Sequence, residues 1–413
     1  MPKPLPSIVT AAAVSALLAT SVVAQAPVRA AADSANPDIT ALVSRLDLEH
    51  YKATIKGLTA FGDRRQGTER NRKAVDWIEQ QLKSYCCTNT ARIIYTYEPP
   101  PRRAGAPAPP APGAPAPNKR PPRSAPGGAR LRGMLGGIGV NNDSLAQPDT
   151  AIRHVDAEAT MPGERQEVYC TKVGTTHPDE MYIVGGHMDG IGWGQAANDD
   201  GSGTALVMEL ARVISSPDVK TDRSIRFALW NNEETGLNGA RAYVDQRAKL
   251  QGIENPKGSG KYPEPKWLGM VQHDMMLFDH GMPRADGTLP PEQRPEADVN
   301  VEFQSTAKQA AAAQALAWEF KTANEKYATD YPATVSPHMT NTDSSPFMDL
   351  VPAISLRENE RGAQIGAGWD PNWHQPTDVF TSYSDKDFRL GLNAAQTTLG
   401  AIATLTGTAL VRR

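Results

Sequence analysis

The sequence predicts an α/β fold, a three-layer α/β/α sandwich around a mixed, mostly parallel central sheet. Two short apolar runs, residues 181–184 and 224–230, bracket a stretch of helical spacing at residues 204–214. A strand, a helix and a second strand in this order form a βαβ unit, whose two strands run parallel. Acidic or imidazole side chains follow several predicted strands, at the edge where ligands of open α/β sheets bind. The sequence therefore predicts both a sheet and the edge that carries its functional site.

Helices and strands are also predicted before this unit. They are helices over residues 38–45, 48–61 and 69–85 and strands over residues 90–97 and 167–172. The third helix has the clearest pattern, since Ala74, Trp77, Ile78 and Leu82 form one apolar stripe at helical spacing. The first strand is rich in β-branched and aromatic residues.

The same alternation continues after the unit. The predicted elements are strands over residues 267–273, 299–304 and 353–357 and helices over residues 305–326 and 343–350. Residues 281–298 are predicted to form a long, proline-rich polar loop. Ser384 begins a final helix, because Asp387 stands three residues later in the arrangement of a capping box. We therefore expect a single folded domain over residues 37–413.

Composition narrows the class of protein. The chain has 413 residues, of which 39% are hydrophobic and 22% charged, enough apolar residues for a sizeable core. Its formal net charge of −3 gives no reason to expect nucleic acid as a partner or attraction to an anionic membrane surface.

The N-terminus has the pattern of a secretory signal. Lys3 is its only charge, residues 8–23 are apolar or small, and Ala24 ends a small-residue motif that signal peptidases accept. Residues 1–24 are therefore predicted to be a cleaved signal peptide, and the mature protein to be secreted or periplasmic with no membrane span. The apolar run is short for a span, which needs about 20 residues. The alternative is an uncleaved N-terminal anchor.

The three cysteines indicate at most one disulfide. Exported proteins can oxidise their thiols, and adjacent cysteines rarely bond each other because the geometry strains the peptide between them. One of Cys86 or Cys87 is expected to pair with Cys170, leaving one odd thiol. The alternative is three unpaired buried thiols.

A proline-rich segment interrupts the first half of the chain. Residues 99–126 contain twelve prolines, and such a composition cannot form a packed core. Because strand signals resume near residue 167, residues 99–130 are predicted to be a disordered insertion within one domain. The alternative is a ligand for the aromatic groove of a partner.

Residues 185–203 carry the strongest functional signal. His187 follows a predicted strand, and Asp199 precedes the helix that begins beside it. Imidazole and carboxylate groups at such an edge suit a divalent metal, zinc first. Further groups of the same kind are Glu233 and Glu234 after residues 224–230, Asp274 after residues 267–273, and His374 in a late loop.

Taken in order, these motifs resemble those of the zinc-dependent aminopeptidases with two co-catalytic metals. That family also contains glutamate carboxypeptidase, glutaminyl cyclase and the ectodomain of transferrin receptor. The shared motifs are Gly-His-x-Asp, Asn-Asp-x-Gly-Ser-Gly, Glu-Glu-x-Gly-x-x-Gly, x-Asp-Met and a late His-x-Pro-x-Asp. The resemblance extends from about residue 51 to the C-terminus, apart from the proline-rich insertion, and implies a metallopeptidase domain.

The resemblance also implies two zinc ions per chain and a role for each site residue. The implied ligands are His187, Asp199 and Asp274 for one ion and Asp199, Glu234 and His374 for the other, with Asp199 bridging. Asp189 would accept the second ring N–H of His187 and fix its tautomer. Glu233 would be the general base. Asp343 matches a Ser-Asp-x-x-x-Phe element near the pocket, although Thr342 precedes it here.

Neighbouring residues compete for these roles. His273 flanks Asp274 and is expected to point to the opposite side of the strand. Asp200 could be a ligand, but its better role is to shape the turn after Asp199. His338 could donate a hydrogen bond to an oxyanion or be a surface histidine. Asn198 is most simply a turn residue.

The predicted function is that of an exported aminopeptidase acting on peptides with a free N-terminus. Two metal ions would activate water, and Glu233 would take its proton. A carboxypeptidase or dipeptidase on the same scaffold needs cationic groups for the substrate carboxylate, which Arg357 and Arg361 could supply. A receptor-like binding module without activity predicts missing ligands, and all five are present.

Overall fold

The central sheet has eight strands in the part of the chain that the structure covers. The computed structural model describes residues 35–99, 140–278, 299–337, 341–358 and 370–411. The strands of the sheet lie in the order β1-β2-β5-β3-β6-β9-β7-β8. Their bounds are Thr90–Tyr97 (β1), Gly163–Lys172 (β2), His177–His187 (β3), Arg223–Trp230 (β5), Lys266–His273 (β6), Val299–Phe303 (β7), Ala333–Ser336 (β8) and Ala353–Arg357 (β9). Val219–Lys220 (β4) and Ala409–Leu410 (β10) form a separate two-stranded sheet.

Helices cover the two faces of the sheet. Their bounds are Pro37–Val43 (α1), Leu48–Thr59 (α2), Glu69–Ser84 (α3), Thr150–Asp156 (α4), Gly201–Ile214 (α5), Asn238–Arg247 (α6), Ala310–Tyr327 (α7) and Asp385–Leu405 (α8). The pairs β3–β5, β3–β6, β6–β9 and β7–β8 are parallel, whereas β1–β2, β2–β5 and β7–β9 are antiparallel. The predicted class, an α/β/α sandwich around a mixed, mostly parallel sheet, is confirmed.

Alternate residues of the central strands face two different apolar layers. Val184 of β3 and Leu229 of β5 belong to a large cluster with α2, α5, α7 and α8. Their neighbours Ile183 and Ala228 belong to a smaller cluster that includes Tyr243 of α6. The near-continuous apolar runs in the sequence reflect this burial on both faces.

The predicted βαβ unit is present as β3, α5 and β5. The helix packs closely on its strand, since a Cβ at Gly186 would stand 2.8 Å from the carbonyl carbon of Gly203. The final helix begins with the predicted capping box of Ser384 and Asp387. The close contact between Gly186 and Gly203 brings the start of α5 against the end of β3, where the candidate site lies.

The prediction of a helix over residues 343–350 is wrong. These residues form successive turns, in which Ser345 and Phe347 donate backbone hydrogen bonds to the third residue before them. The Ser344 hydroxyl bonds that of Ser355 on β9, and the Phe347 ring packs against Trp230. Tertiary contacts, rather than a helical ladder, therefore fix this segment.

Several short elements were not predicted. They are α4, α6, β8 and the strands of the small sheet. The N-cap residue of α6, Leu237, has φ of 59° and makes no side-chain cap, and Gly239 lies in its first turn, so its local signals are weak. The strands β4 and β10 have two residues each, too few to show a periodic pattern.

A disulfide ties β2 to the segment after α3. Cys87 bonds Cys170, and Cys86 is a free, exposed thiol. The predicted pairing of one neighbouring cysteine with Cys170 is confirmed.

Three predictions concern residues outside the described ranges. They are the signal peptide at residues 1–24, the insertion from residue 100 onward and the loop at residues 281–298. Across the described residues, no helix combines the length and apolarity needed to span a bilayer.

Candidate metal centre

Three neighbouring strands carry acidic or imidazole groups to one edge of the sheet. His187 is the last residue of β3, and Asp274 directly follows β6. Glu233 and Glu234 follow β5 after two residues. Because β3 pairs in parallel with both other strands, all three carboxyl ends meet at this edge.

Two loops complete the cluster. Asp199 lies just before α5, joined to Asp200 by a cis peptide bond. His374 arrives from the loop before α8 with φ of 57°. Met275, next to Asp274, has φ of 63°. Such left-handed backbone is uncommon for residues other than glycine and often marks functional sites.

Asp199 faces both histidines. Its Oδ1 lies 3.3 Å from Nε2 of His187, and its Oδ2 lies 3.0 Å from Nε2 of His374. Asp274 Oδ1 is 3.8 Å from the first ring, and Glu234 Oε2 is 2.9 Å from the second. The structure thus brings together all five predicted metal-binding residues.

Two groups of donor atoms are close enough to hold a cation. One consists of His187, Glu233 and Asp274, and the other of Asp199, Glu234 and His374, with the donor atoms of each group within 4.8 Å of one another. The second group is the predicted one. The first contains Glu233 in the place that the resemblance gives to Asp199, although Asp199 also lies beside His187.

The carboxylates favour positive charge on both imidazoles. Burial lowers the pKa of His187, but Glu233 and Asp199 more than offset it and hold that pKa well above its ordinary value. Burial also lowers the pKa of His374, but Glu234 and Asp199 outweigh it and raise that pKa to about 10. Burial raises the pKa of Glu234 to about 7. The cluster therefore stabilises cationic charge at the two ring nitrogens, where a bound metal would supply it.

Asp200 and His273 form hydrogen bonds outside the proposed set of metal ligands, as the sequence predicted. The Asp200 carboxylate accepts hydrogen bonds from the backbone N–H groups of His187, Gly203 and Met275. It therefore ties the end of β3, the start of α5 and the segment after β6 together. His273 points away from the cluster, with Nε2 2.8 Å from the Thr398 hydroxyl of α8.

The contact between Asp189 and His187 differs from the implied one. Nδ1 of His187 lies 3.0 Å from the main-chain oxygen of Asp189 and 3.8 Å from its carboxylate. That carboxylate instead accepts a hydrogen bond of 3.0 Å from the backbone N–H of Glu233. The carboxylate is turned toward the loop after β5, so the imidazole bonds the backbone instead.

Asp378 is the last residue of the late His-x-Pro-x-Asp motif, but the sequence indicated no role for it. Its carboxylate accepts hydrogen bonds from the backbone N–H groups of Asn198 and Asp199, and the Tyr383 hydroxyl donates to it. Asp378 lies four residues after His374, so one loop supplies a histidine and also holds Asp199. The late His-x-Pro-x-Asp motif includes Asp378, but no local pattern in the sequence showed that its carboxylate would bind the backbone of Asn198 and Asp199.

Asn198 and Asp343 complete the surroundings. Asn198 is more than the predicted turn residue, since its amide donates to Glu358 and Asp370. Asp343 is buried and accepts a hydrogen bond of 3.3 Å from Gln272. Burial, together with Asp189, raises the pKa of Asp343 well above its ordinary value. His338 lies outside the described residues.

Comparison with known proteins identifies the family. The model of Peptidase family M28 matches residues 167–395, which is more than half of the chain. The chain belongs to peptidase family M28. The matched residues of this M28 chain include all seven predicted site residues.

Individual relatives of this M28 chain align over shorter stretches. Aminopeptidase YwaD of Bacillus subtilis is 45% identical over 75 residues, covering 18% of this chain and 16% of YwaD. The probable lipoprotein aminopeptidase LpqL of Mycobacterium tuberculosis is 28% identical over 279 residues, covering 65% of this chain and 48% of LpqL. The chain therefore spans less than half the length of these curated relatives.

A solved structure shows the same fold. The structure of BSAP, a zinc aminopeptidase from Bacillus subtilis, has a TM-score of 0.54 and 16% sequence identity, covering 87% of this M28 chain and 95% of that one. At this identity the likeness concerns the fold alone. The function of this chain has to be argued from its own site.

Proposed function

We propose that this chain is an exported, two-zinc aminopeptidase that hydrolyses the N-terminal peptide bond of its substrates. The observation that carries the proposal is the position of Asp199. Its two carboxylate oxygens face two different histidines, 3.3 Å from His187 and 3.0 Å from His374. A carboxylate placed in this way suits a bridge between two cations.

The residues present fit zinc. Nitrogen and oxygen donors from histidine and carboxylates are those that zinc prefers in catalytic sites. Oε1 of Glu234 and Nδ1 of His374 are buried without a hydrogen-bond partner among the described residues. The unmatched carboxylate oxygen favours a cationic ligand that satisfies it. The proposed ligands are His187, Asp199 and Asp274 for one ion and Asp199, Glu234 and His374 for the other.

Glu233 is the proposed general base. Zinc, when bound, would lower the pKa of water toward neutrality and polarise the scissile carbonyl. Burial raises the pKa of Glu233 well above its ordinary value, which suits a group that accepts a proton from water and returns it to the leaving amine. The Asp189 carboxylate holds the backbone N–H of Glu233 and so orients this loop.

Arg357 bears on the choice between aminopeptidase and carboxypeptidase. Its buried guanidinium bonds Asp274 and lies 3.6 Å from Glu302. A cation paired with two carboxylates is poorly placed to bind a substrate carboxylate as well. No other lysine or arginine lines this pocket in the described part of the chain, which favours a substrate recognised by its amine rather than by its carboxylate. Arg361, the other candidate, lies outside the described residues.

The N-terminal sequence and the disulfide support export. Residues 1–24 have the pattern of a signal peptide. The bond between Cys87 and Cys170 requires an oxidising compartment to persist. A secreted or periplasmic location satisfies both.

A substrate panel with metal analysis tests the proposal. The purified protein is expected to hold two zinc ions per chain, to cleave aminoacyl anilides and to lose this activity with a chelator. N-acetylated peptides that keep a free carboxylate should resist cleavage. Cleavage of these blocked peptides would instead indicate a carboxypeptidase. Tight zinc binding without hydrolysis of any substrate would indicate a binding module.

A further inference from the structure

A cavity of about 640 Å³ opens at the sheet edge opposite the candidate metal centre. The first residues of β1 and β5 and the last residues of β2 form its floor, and residues 251–265, between α6 and β6, form its roof. We call it the opposite-edge cavity. Its volume falls within the range of about 300–1,000 Å³ that is typical of small-molecule sites.

Arg226 fixes the floor and roof of this cavity together. Its Nε donates to the Thr171 hydroxyl of β2 at 3.0 Å, and its Nη2 donates to the Pro263 carbonyl of the roof at 3.1 Å. Its Nη1 pairs with the buried Glu264 carboxylate, and its guanidinium lies 4.3 Å from the centre of the Tyr169 ring. These bonds span sheet and loop, so the cavity is a built feature of the fold.

The lining has an excess of positive charge. Arg226, Arg247 and Lys261 are among the lining residues, and none of the lining residues is acidic. The Glu264 carboxylate neutralises the charge of Arg226 and of no other lining residue. The Arg247 guanidinium makes no ion pair or hydrogen bond with any other residue that the structure describes, and its Nε is buried without a partner. Arg247 is only partly buried, so the rest of its guanidinium meets solvent, and its charge is free to pair with an anionic ligand in the cavity.

The rest of the lining combines apolar surface with a spare hydroxyl. Tyr169 is only 5% exposed, and its hydroxyl makes no hydrogen bond within the described part of the chain. Ala91, Val173 and Pro178 supply apolar wall. A ligand that complements the cavity therefore has an anionic head for Arg247 and an apolar body for this wall.

We propose that the opposite-edge cavity binds a small organic carboxylate with an apolar body, up to about the size of a dipeptide. The Arg247 guanidinium provides a planar pair of donors that matches a carboxylate, and Lys261 adds a second cation at the opening. This site is separate from the metal centre and does not depend on the proposed peptidase activity.

Calorimetry with a matched pair of probes tests this proposal. N-acetyl-L-phenylalanine carries the carboxylate, and N-acetyl-L-phenylalaninamide is its neutral counterpart. The zinc-loaded full chain is expected to bind the acid at least tenfold more tightly than the amide. Arg247→Met should weaken binding of the acid at least tenfold, whereas Arg247→Lys should weaken it less. Hydrolysis of aminoacyl anilides should stay unchanged in both variants.

Two further variants separate this site from the metal centre. Ala91→Trp fills the space beside the apolar wall and should abolish binding of the acid. Lys261 lies on the surface, so Lys261→Met should fold and should weaken binding of the acid. It therefore tests the cationic lining if Arg247→Met does not fold. Equal binding of acid and amide would overturn the proposal. So would binding that survives Ala91→Trp but disappears with a chelator, because the carboxylate would then lie on the metals.

Discussion

The guanidinium of Arg357 lies 2.7 Å from the carboxylate of Asp274, Nη2 to Oδ2, and both side chains are buried. β9 carries the arginine, and Asp274 directly follows the neighbouring strand β6. The pairing occupies one oxygen of Asp274 and leaves the other 3.8 Å from Nε2 of His187. The position of a candidate metal ligand is therefore set by a charge on the adjacent strand.

Replacing Arg357 by Met should lower the free energy of unfolding of the metal-free protein by about 3–5 kcal/mol, since the buried carboxylates of Asp274 and Glu302 would each lose an ion pair. Urea unfolding in the presence of a chelator measures this. Arg223→Met provides a matched control, because the ion pair of Arg223 with Glu180 is about one-third exposed and should contribute less than about 1 kcal/mol. Similar losses in both variants would contradict the assigned importance of burial.

Replacing Glu233 by Gln should lower kcat for aminoacyl anilides by about 10²–10⁴-fold, because the proton acceptor is removed. Zinc content should stay at two ions per chain. Glu234→Gln is the comparison, since it removes a proposed ligand and should lower zinc content together with activity.

The geometry makes this comparison decisive. Glu233 lies within 4.8 Å of the donor atoms of His187 and Asp274. If zinc is lost from Glu233→Gln to the same extent as from Glu234→Gln, Glu233 is a ligand and the general base must be another group.

Four of the five clustered residues follow a strand or precede a helix, which is a local signal, whereas His374 lies in a loop and was indicated only by the family resemblance. His187 and Asp274 come directly at or after an apolar strand, and parallel strands bring their ends to one edge. Asp199 precedes a helix whose apolar spacing is regular. Such signals are local in the sequence and need no knowledge of long-range contacts.

The supporting contacts could not be predicted in this way. Asp378 bonds the backbone of Asp199, and the two positions are 179 residues apart. Gln147 bonds the main-chain oxygens of Trp193 and Pro376 and so joins two loops of the site. No periodic pattern links such residues, because the contacts arise only when the loops have folded against one another.

Removing the disulfide should destabilise the fold. The bond between Cys87 and Cys170 closes a loop with a sequence separation of 83, and loss of a native disulfide costs about 2–5 kcal/mol, in part by freeing the unfolded chain. Replacing both cysteines by alanine should lower the free energy of unfolding by this amount. Cys86→Ala is the control, since that thiol is free and exposed, and it should leave stability unchanged under non-reducing conditions.

The stability of the protein should depend on pH through Asp156. This carboxyl is buried beside Asp63; its Oδ1 accepts the backbone N–H of Asp63 at 3.0 Å, and its Oδ2 has no partner in the described chain. Burial and the charge of Asp63 raise its pKa from 3.8 to about 7. The folded state therefore holds this proton more tightly than the unfolded state does.

The sign of the effect follows from this difference. The protonated Asp156 carboxyl contributes fully to the free energy of unfolding below about pH 4, and this contribution is lost as pH rises to about 7. The loss amounts to up to about 4 kcal/mol. Asp156→Asn cannot ionise and keeps an oxygen for the Asp63 N–H. Urea unfolding of both proteins between pH 4 and 7.5 should show the variant gaining stability relative to the wild type as pH rises. A difference that stays constant over this range would mean that Asp156 ionises at an ordinary pH in the folded protein.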